Sequence, residues 1–526
     1  MRTLRGEQLN SSYDIAVVGS GFAGSLMAMI ARRLGHSVVL LERGKHPRFV
    51  IGESSTPLSN LLIEEIAERY DLQRIKPLSK WGSWQENYRH LACGMKRGFS
   101  FYHHHLGRPY VADPDHRRQL LVAANPHNSV ADTHWFRSEL DEMLVREAQD
   151  IGVDYFDEVK LNAFADESEV AILLGTRKEH AVTIRAKFVV DATGPRGFLH
   201  RALTLEEESL PSYPSTQALF SHFTNVKRLD EARSPLEGEV PPYPIDDAAV
   251  HHIFDGGWIW VLHFNNGVTS AGVAATDEAF ARLGLSDGEA GWKRLLHSIP
   301  TLQVQFTNAK TVRPFTHMKH LSFLSKTICG QRWALLPSAA GFVDPLLSTG
   351  FPLTLSGISR LGNILQHDLD TPRFHASLHT YEDQTRGEIL AASRLLSGLY
   401  SNMNNFPVFT ALSLLYFAAA SFSETALRLD KRHLAASFLL YDHPVFGPAC
   451  RELLERSRHL STSAEAERLI EDVLSVIEPI DVAGLCNRER RNWYPIDAND
   501  VIRAAHKVEA NQGEIVRLLQ RCGFYQ

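Results

Sequence analysis

The chain has 526 residues, of which 44% are hydrophobic and 22% charged, with 34 Gly and 24 Pro; this excludes collagen-like, low-complexity and disordered chains. At roughly 150 residues per domain, the length holds about three domains' worth of material. Lys plus Arg number 55 against 61 Asp plus Glu, a net charge of −6, so no basic excess points to nucleic acid or an anionic membrane.

Residues 1–10 (MRTLRGEQLN) lack the apolar run of a secretory signal. Residues 13–19 (YDIAVVG) predict a buried strand, 21–34 a helix, and 36–42 (HSVVLLE) a second buried strand. Near-continuous apolar strands around a helix describe a βαβ unit in a covered parallel sheet. Residues 57–70 predict a helix, with Leu61, Leu62, Ile66 and Ala67 at helical spacing. Residues 80–117, rich in Trp, Tyr, His and Phe, read as strands and loops. An amphipathic helix is predicted over 134–152, then strands near 153–155, 159–164, 171–174 and 187–191. From 201 to 306 the chain turns Pro- and aromatic-rich, with strand patterns at 257–264 and 268–274. A buried strand returns at 332–336, and the chain is mostly helical from 368. Residues 406–422 are the most apolar stretch; short for a span and containing Pro407, they read as a buried helix. The expected fold class is α/β (α+β overall). A Rossmann-like core covers 12–200 and 307–370. An antiparallel β layer for substrate is inserted at 201–306, with 80–117 contributing, and 371–526 is a helical C-terminal region.

Gly19-Ser20-Gly21-Phe22-Ala23-Gly24 is GxGxxG between a strand and a helix. Gly19 permits the tight turn, Gly21 the approach of a pyrophosphate, and Gly24 close helix–strand packing. The pyrophosphate charge sits at the helix N-terminus. Glu42, followed by Arg43, ends the second strand, where an acid can accept from ribose hydroxyls.

Residues 187–194 (KFVVDATG), containing Asp191 and Gly194, resemble the strand-end motif of glutathione-reductase-like FAD-dependent oxidoreductases. Residues 332–350 (RWALLPSAAGFVDPLLSTG) resemble their flavin-proximal motif. The resemblance implies FAD rather than NAD. The usual Gly-Asp before Ala-Ala is replaced by Pro337-Ser338, and the Ser338 hydroxyl can still meet the ribityl chain. Arg137 resembles the flavin-side Arg of R-x-x-x-D-x-x-L. With no second GxGxxG, reduced FAD is expected from a separate flavin reductase.

Three further elements resemble flavin-dependent halogenases of the phenol and pyrrole type. Gly52-Glu53-Ser54-Ser55-Thr56-Pro57 is similar to their G-E-S-x-x-P, and Lys80-Trp81-Gly82-Ser83 to their K-[YW]-G-[AS]. Phe342-Val343-Asp344-Pro345-Leu346-Leu347-Ser348-Thr349-Gly350 is similar to F-x-x-P-x-x-S-x-G at every fixed position. The resemblance spans about residues 12–370. It implies an FAD-dependent halogenase of secondary metabolism, using reduced FAD, oxygen and chloride or bromide on an electron-rich aromatic, free or carrier-tethered. Lys80 falls on the essential lysine that relays hypohalous acid, and Ser348-Thr349-Gly350 forms the halide turn. Trp258-Ile259-Trp260-Val261-Leu262-His263 resembles W-x-W-x-I-P on the substrate side, with Leu262-His263 replacing Ile-Pro. Leu347 stands where tryptophan-specific members carry a Glu, which favours a phenol or pyrrole. A base for a phenol could come from His103, His104, His105, His251, His252 or His263. Three adjacent His do not converge on one ion, and five scattered Cys without C-x-x-C form no zinc site and fit a reducing cytoplasm; no metal is expected. An aromatic monooxygenase, a flavin reductase or dehydrogenase on a lipophilic substrate, and a flavin-free binding protein remain open alternatives.

Overall fold

A computed structural model describes residues 9–167, 169–232 and 240–525; the leader reading at 1–8 falls outside them. Strand β1 (Leu9–Val18) pairs in parallel with β2 (Val38–Leu41) and with strand His180–Asp191. Helix α1 (Phe22–Arg33) crosses between β1 and β2, and ten of its residues are buried. Strand Asp154–Phe156 extends this sheet beyond β2, and Trp333–Leu335 joins in parallel beside Asp191. Strands Ala171–Arg177 and Val159–Asp166 continue it as an antiparallel meander. All four residues of β2 are buried, as two-sided cover requires.

The second sheet has nine strands drawn from separate parts of the chain. Helix α2 (Pro57–Arg69) and helix α3 (Trp81–Asn87) precede β3 (Cys93–Lys96), which lies outside this sheet, and β4 (Gly98–His103), which belongs to it. β4 pairs with β5 (Gln119–Ala123) and, in parallel, with strand Ala249–Phe254. Strands Gly257–His263, Val268–Thr276 and Thr216–Thr224 complete the antiparallel part. Helices Asp277–Arg282, Glu289–Ser298 and Pro300–Gln305 accompany them; Trp292, Leu295 and Leu302 close a small core on one face of the sheet.

Two local expectations change. Residues 81–87 form α3 rather than loop, because Trp84 is fully buried and donates its indole N–H to the Leu91 carbonyl at 3.1 Å; tertiary packing overrides a weak local signal. The helix expected from 134 begins at Arg137 (α4, Arg137–Asp150), and β6 (Asp132–Trp135) pairs antiparallel with β3. Helix Gly350–His367 closes the core segment, and the C-terminal region after it is mostly helical and includes Phe374–Ser401 and Phe406–Arg428. The last is long and apolar enough to cross a membrane, and 83% of its apolar window is buried inside the protein.

Candidate active site

A cavity of about 550 Å³ lies at the C-terminal ends of the parallel strands. Gly19, Gly21, Phe22, Ala23, Glu42, Arg43, Ser54, Arg137, Gly194, Ser338, Pro345, Ser348, Thr349 and Gly350 all line it. The glycines behave as the fingerprint requires. Gly19 has φ +96°, and a Cβ there would lie 2.7 Å from the Ala192 carbonyl oxygen. A Cβ on Gly24 would lie 1.8 Å from the Gly19 carbonyl oxygen. Gly24 therefore serves helix–turn packing and does not line the cavity. No side chain caps the N-terminus of α1, which leaves first-turn amides for an anion.

Glu42 is held by Ser20 N–H and Oγ (both 3.0 Å), Gly44 N–H (2.7 Å) and Arg48 (3.1 Å). Burial raises its pKa, but Arg48 and these donors outweigh burial and hold the carboxyl below its ordinary range. Arg137 is buried rather than a surface cation. It makes two 2.8 Å bonds to Asp141, donates to the Gly52 carbonyl at 2.9 Å and lies 5.0 Å over the Phe22 ring. It thus ties α4 to the G-E-S loop and to α1. Asp191 does not line the cavity: it accepts from Thr193 N–H (2.8 Å) and Leu199 N–H (2.6 Å) and shapes the turn that presents Gly194. These groups fit an extended dinucleotide: free amides at a helix start, an anchored acid at the strand end, and a glycine face where a Cβ would crowd Arg137 at 3.3 Å.

At the other end, Leu347 and Ser348 take φ +66° and +55° in succession. Left-handed non-glycine residues cost of order 1–3 kcal/mol each and persist only when their surroundings hold them. Asp344 supplies that hold. Its Oδ1 accepts from Leu346 N–H (2.9 Å) and Trp258 Nε1 (3.1 Å). Its Oδ2 accepts from Tyr400 (2.8 Å) and Tyr213 (3.1 Å). Burial pushes the Asp344 carboxyl up to about 6, against these donors. Trp258 and Trp260 both face the cavity, as the i, i+2 spacing expects, with Trp260 donating to Ser270 Oγ at 3.3 Å. His263 and Leu347 do not line the cavity. His263 pairs with Asp246 at 3.5 Å, and Leu347 is fully buried. The Ser348 amide is already bonded to the Pro345 carbonyl at 3.0 Å, so this residue offers the cavity its hydroxyl. The free donors at this end of the cavity are the first-turn amides of helix Gly350–His367, whose N-terminus no side chain caps.

The largest difference between expectation and geometry concerns lysine. Lys80 does not line the cavity: its Nζ is 3.1 Å from Glu64, which also binds Arg428 at 3.2 Å. Lys96, at the end of β3, is fully buried. Its Nζ donates to the Ser55 carbonyl at 2.6 Å and Ser54 Oγ at 2.9 Å, and lies 3.5 Å from Ser348 Oγ. It also sits 3.8 Å over the Phe99 ring. Ser54 and Ser348 belong to the cavity wall, so Lys96 stands one hydroxyl behind it, between the G-E-S loop and the strained turn. Lys96-Arg97-Gly98 and Lys80-Trp81-Gly82 share a Lys-x-Gly spacing. The signal that separates them is a lysine inside the buried pattern of β3 and β4. Burial lowers the pKa of Lys96.

Among the histidines, His251 lines the cavity, and burial lowers its pKa to about 3, so it is neutral. His104 and His252 bond each other at 2.9 Å, while His103 and His105 border a separate cavity of about 590 Å³. Sequence reasoning also missed the buried Glu53–His222 pair (2.8 Å), whose Glu53 faces the cavity.

The comparisons with known proteins agree with this geometry. The family model for tryptophan halogenase matches residues 126–405, and that for FAD-dependent oxidoreductases matches 14–202. Tetracycline 7-halogenase of Kitasatospora aureofaciens is 28% identical over 420 residues, covering 78% of this chain and 73% of that protein. Monodechloroaminopyrrolnitrin halogenase PrnC of Pseudomonas fluorescens is 26% identical over 492 residues, covering 91% and 84%. Among solved structures, halogenase PltM in complex with phloroglucinol and FAD superposes with a TM-score of 0.82 at 24% identity, covering 91% of this chain and 99% of that one. The last likeness shows the fold.

Proposed function

Since the chain belongs to the tryptophan halogenase family, we propose that it is an FAD-dependent halogenase acting on an electron-rich aromatic of the phenol or pyrrole type, with Lys96 as the relay lysine. The observation that carries the reading is the buried Lys96 ammonium bonded to Ser54 and beside Ser348 in the cavity wall. Gly19, Gly21, Glu42, Arg137 and Ser338 would hold FAD. When bound and reduced, FAD supplies the two-electron activation of oxygen that oxidises a halide to hypohalous acid. The amides opening helix Gly350–His367 would hold the halide without offering it a proton-accepting base.

Lys96 acts on the hypohalous acid through the Ser54 and Ser348 hydroxyls of the cavity wall, which its ammonium polarises so that they donate to the acid and keep its halogen electrophilic. The aromatic carbon then takes the halogen, and the displaced ring proton leaves with hydroxide as water, so HOBr and ArH give ArBr and H2O. A compact ammonium on a flexible stem suits this task, and burial keeps competing water away. Leu347 in place of an acid leaves ring activation to the substrate's own hydroxyl or nitrogen, which supports a phenol or pyrrole over free indole. Two of the relatives act on pyrrole held by a peptidyl-carrier protein, and a carrier-tethered substrate is compatible with this reading. A separate reductase would supply reduced FAD, because the chain carries one GxGxxG.

The test is to supply chemically reduced FAD, oxygen and bromide with a panel of phenols and pyrroles and to read products by mass. A brominated product is expected. Oxygen incorporation without bromine would replace this reading with the monooxygenase one.

A further inference from the structure

β3 and β6 form an isolated two-stranded pair, and in its register Lys96 and Asp132 stand directly opposite each other. Both side chains are shut off from solvent, Lys96 at 0% and Asp132 at 1% exposure. On its other sides Lys96 meets two hydroxyls, a carbonyl and the Phe99 ring, none of which carries a formal charge. Asp132 is built into place from two directions. Its Oδ1 accepts from Asn60 of α2 at 2.6 Å and from Asn125 at 3.2 Å, and the Asn125 side chain takes the Asp132 backbone N–H at 3.2 Å. Oδ2 has no hydrogen-bond partner among the described residues. The other titratable groups facing this pair are His134 on β6, His251 on strand Ala249–Phe254, and Tyr416 and Glu424 on helix Phe406–Arg428. Burial keeps His134 and His251 neutral, each pushed down to about 3, and Glu424 is committed to Arg428 at 2.8 Å.

A buried ammonium without a counter-charge gives up its proton, and a buried carboxylate without a cation picks one up. Burial pushes the Asp132 carboxyl up and the Lys96 ammonium down, and across the strand pair each group's charge works against the shift of the other. We propose that Asp132 is the positioning residue of the halogen-transfer site: from the neighbouring strand its carboxylate favours the ammonium form of Lys96, and Asn60 and Asn125 donate to that carboxylate. Asp132 touches neither cavity nor substrate and acts only through Lys96. The proposal rests on Lys96 being the relay lysine.

The test is the pH profile of bromination by the FAD-loaded enzyme, with the pH profile of reduced-FAD oxidation in the same samples as the internal standard. In Asp132→Asn, the limb of the bromination profile that reports Lys96 should move to lower pH by about one unit or more, a loss of about tenfold at a fixed pH on that limb. FAD oxidation should not move. Asp132→Glu should restore the limb toward its original position. If Asp132→Asn does not fold, Asn60→Ala and Asn125→Ala weaken the same carboxylate and should shift the limb in the same direction by less. An Asp132→Asn or Asn60→Ala enzyme that brominates with an unmoved limb overturns the proposal. Failure of the underlying reading is distinguishable, because Lys96→Ala would then brominate normally; Lys96→Ala inactive with the Asp132→Asn limb unmoved rejects the role of Asp132 alone.

Discussion

The two ends of the cavity are built by different means. The dinucleotide end is built around one βαβ unit of about thirty residues, in which backbone amides and glycines offer most of the contacts, with Arg137, Gly194 and Ser338 added from farther along the chain. The halogen-transfer end is assembled from five distant places in the chain. Ser54 comes from the G-E-S loop, Lys96 from β3, Asp132 from β6, Trp258 from the second sheet, and Asp344 with Ser348 from the turn before helix Gly350–His367. The first end is tolerant, because its function lies in main-chain geometry. The second is fragile, because each part is a side chain whose position depends on another.

That contrast can be broken from the largest effect downward. Lys96→Ala should reduce bromination by about a thousandfold while FAD oxidation continues, read from product mass and from flavin absorbance. Asp344→Ala should remove the acceptor of Tyr213 and Tyr400 and one of the two acceptors of the Trp258 indole, and release the Leu347–Ser348 turn. We expect a stability loss of about 3 kcal/mol in denaturant titration, with loss of bromination. Asp344 also gives a pH signature. Its native carboxyl keeps a proton up to about 6, whereas in the unfolded chain it ionises near the ordinary 3.8. The native state binds more protons in that window, so stability falls as pH rises through it. The stability difference between the wild type and Asp344→Asn should therefore shrink by up to about 3 kcal/mol between pH 4 and 7. Glu42→Ala should weaken FAD binding by about tenfold, measured by flavin fluorescence, and leave bromination at saturating FAD intact. Lys80→Ala should change bromination little: its partly buried pair with Glu64 lies outside the cavity, Glu64 keeps Arg428 at 3.2 Å, and bromination should remain at the wild-type rate.

The same contrast explains what the sequence reveals. GxGxxG, Glu42 and the strands around them are local patterns, and Gly19, Gly21 and Glu42 line the cavity. F-x-x-P-x-x-S-x-G is also local, and it marks the strained turn. Lys96 was hidden because a Lys-x-Gly spacing occurs twice, and only the pairing of β3 with β6 shows which copy is buried. Asp191 and Gly24 keep their motif positions, but their work is to shape a turn and to pack a helix rather than to face the cavity. His263 reads as a substrate-side group from its neighbours Trp258 and Trp260. It falls at the strand end, however, where Asp246 on another segment engages it. Asp132 carries no pattern in the sequence at all, and Glu53, although it belongs to the G-E-S element, shows its pairing with His222 only in the fold, since a buried acid is recognised by what folds against it.

The central claim is that halide and relay lysine meet at the Ser54–Ser348 end of the cavity. Crystals of the FAD-loaded enzyme soaked in bromide test it most directly, by the anomalous signal of the ion. The account predicts a bromide peak at the amides opening helix Gly350–His367, on the side of the wall that Lys96 backs. A peak beside Lys80 and Glu64, with none in the cavity, would contradict it.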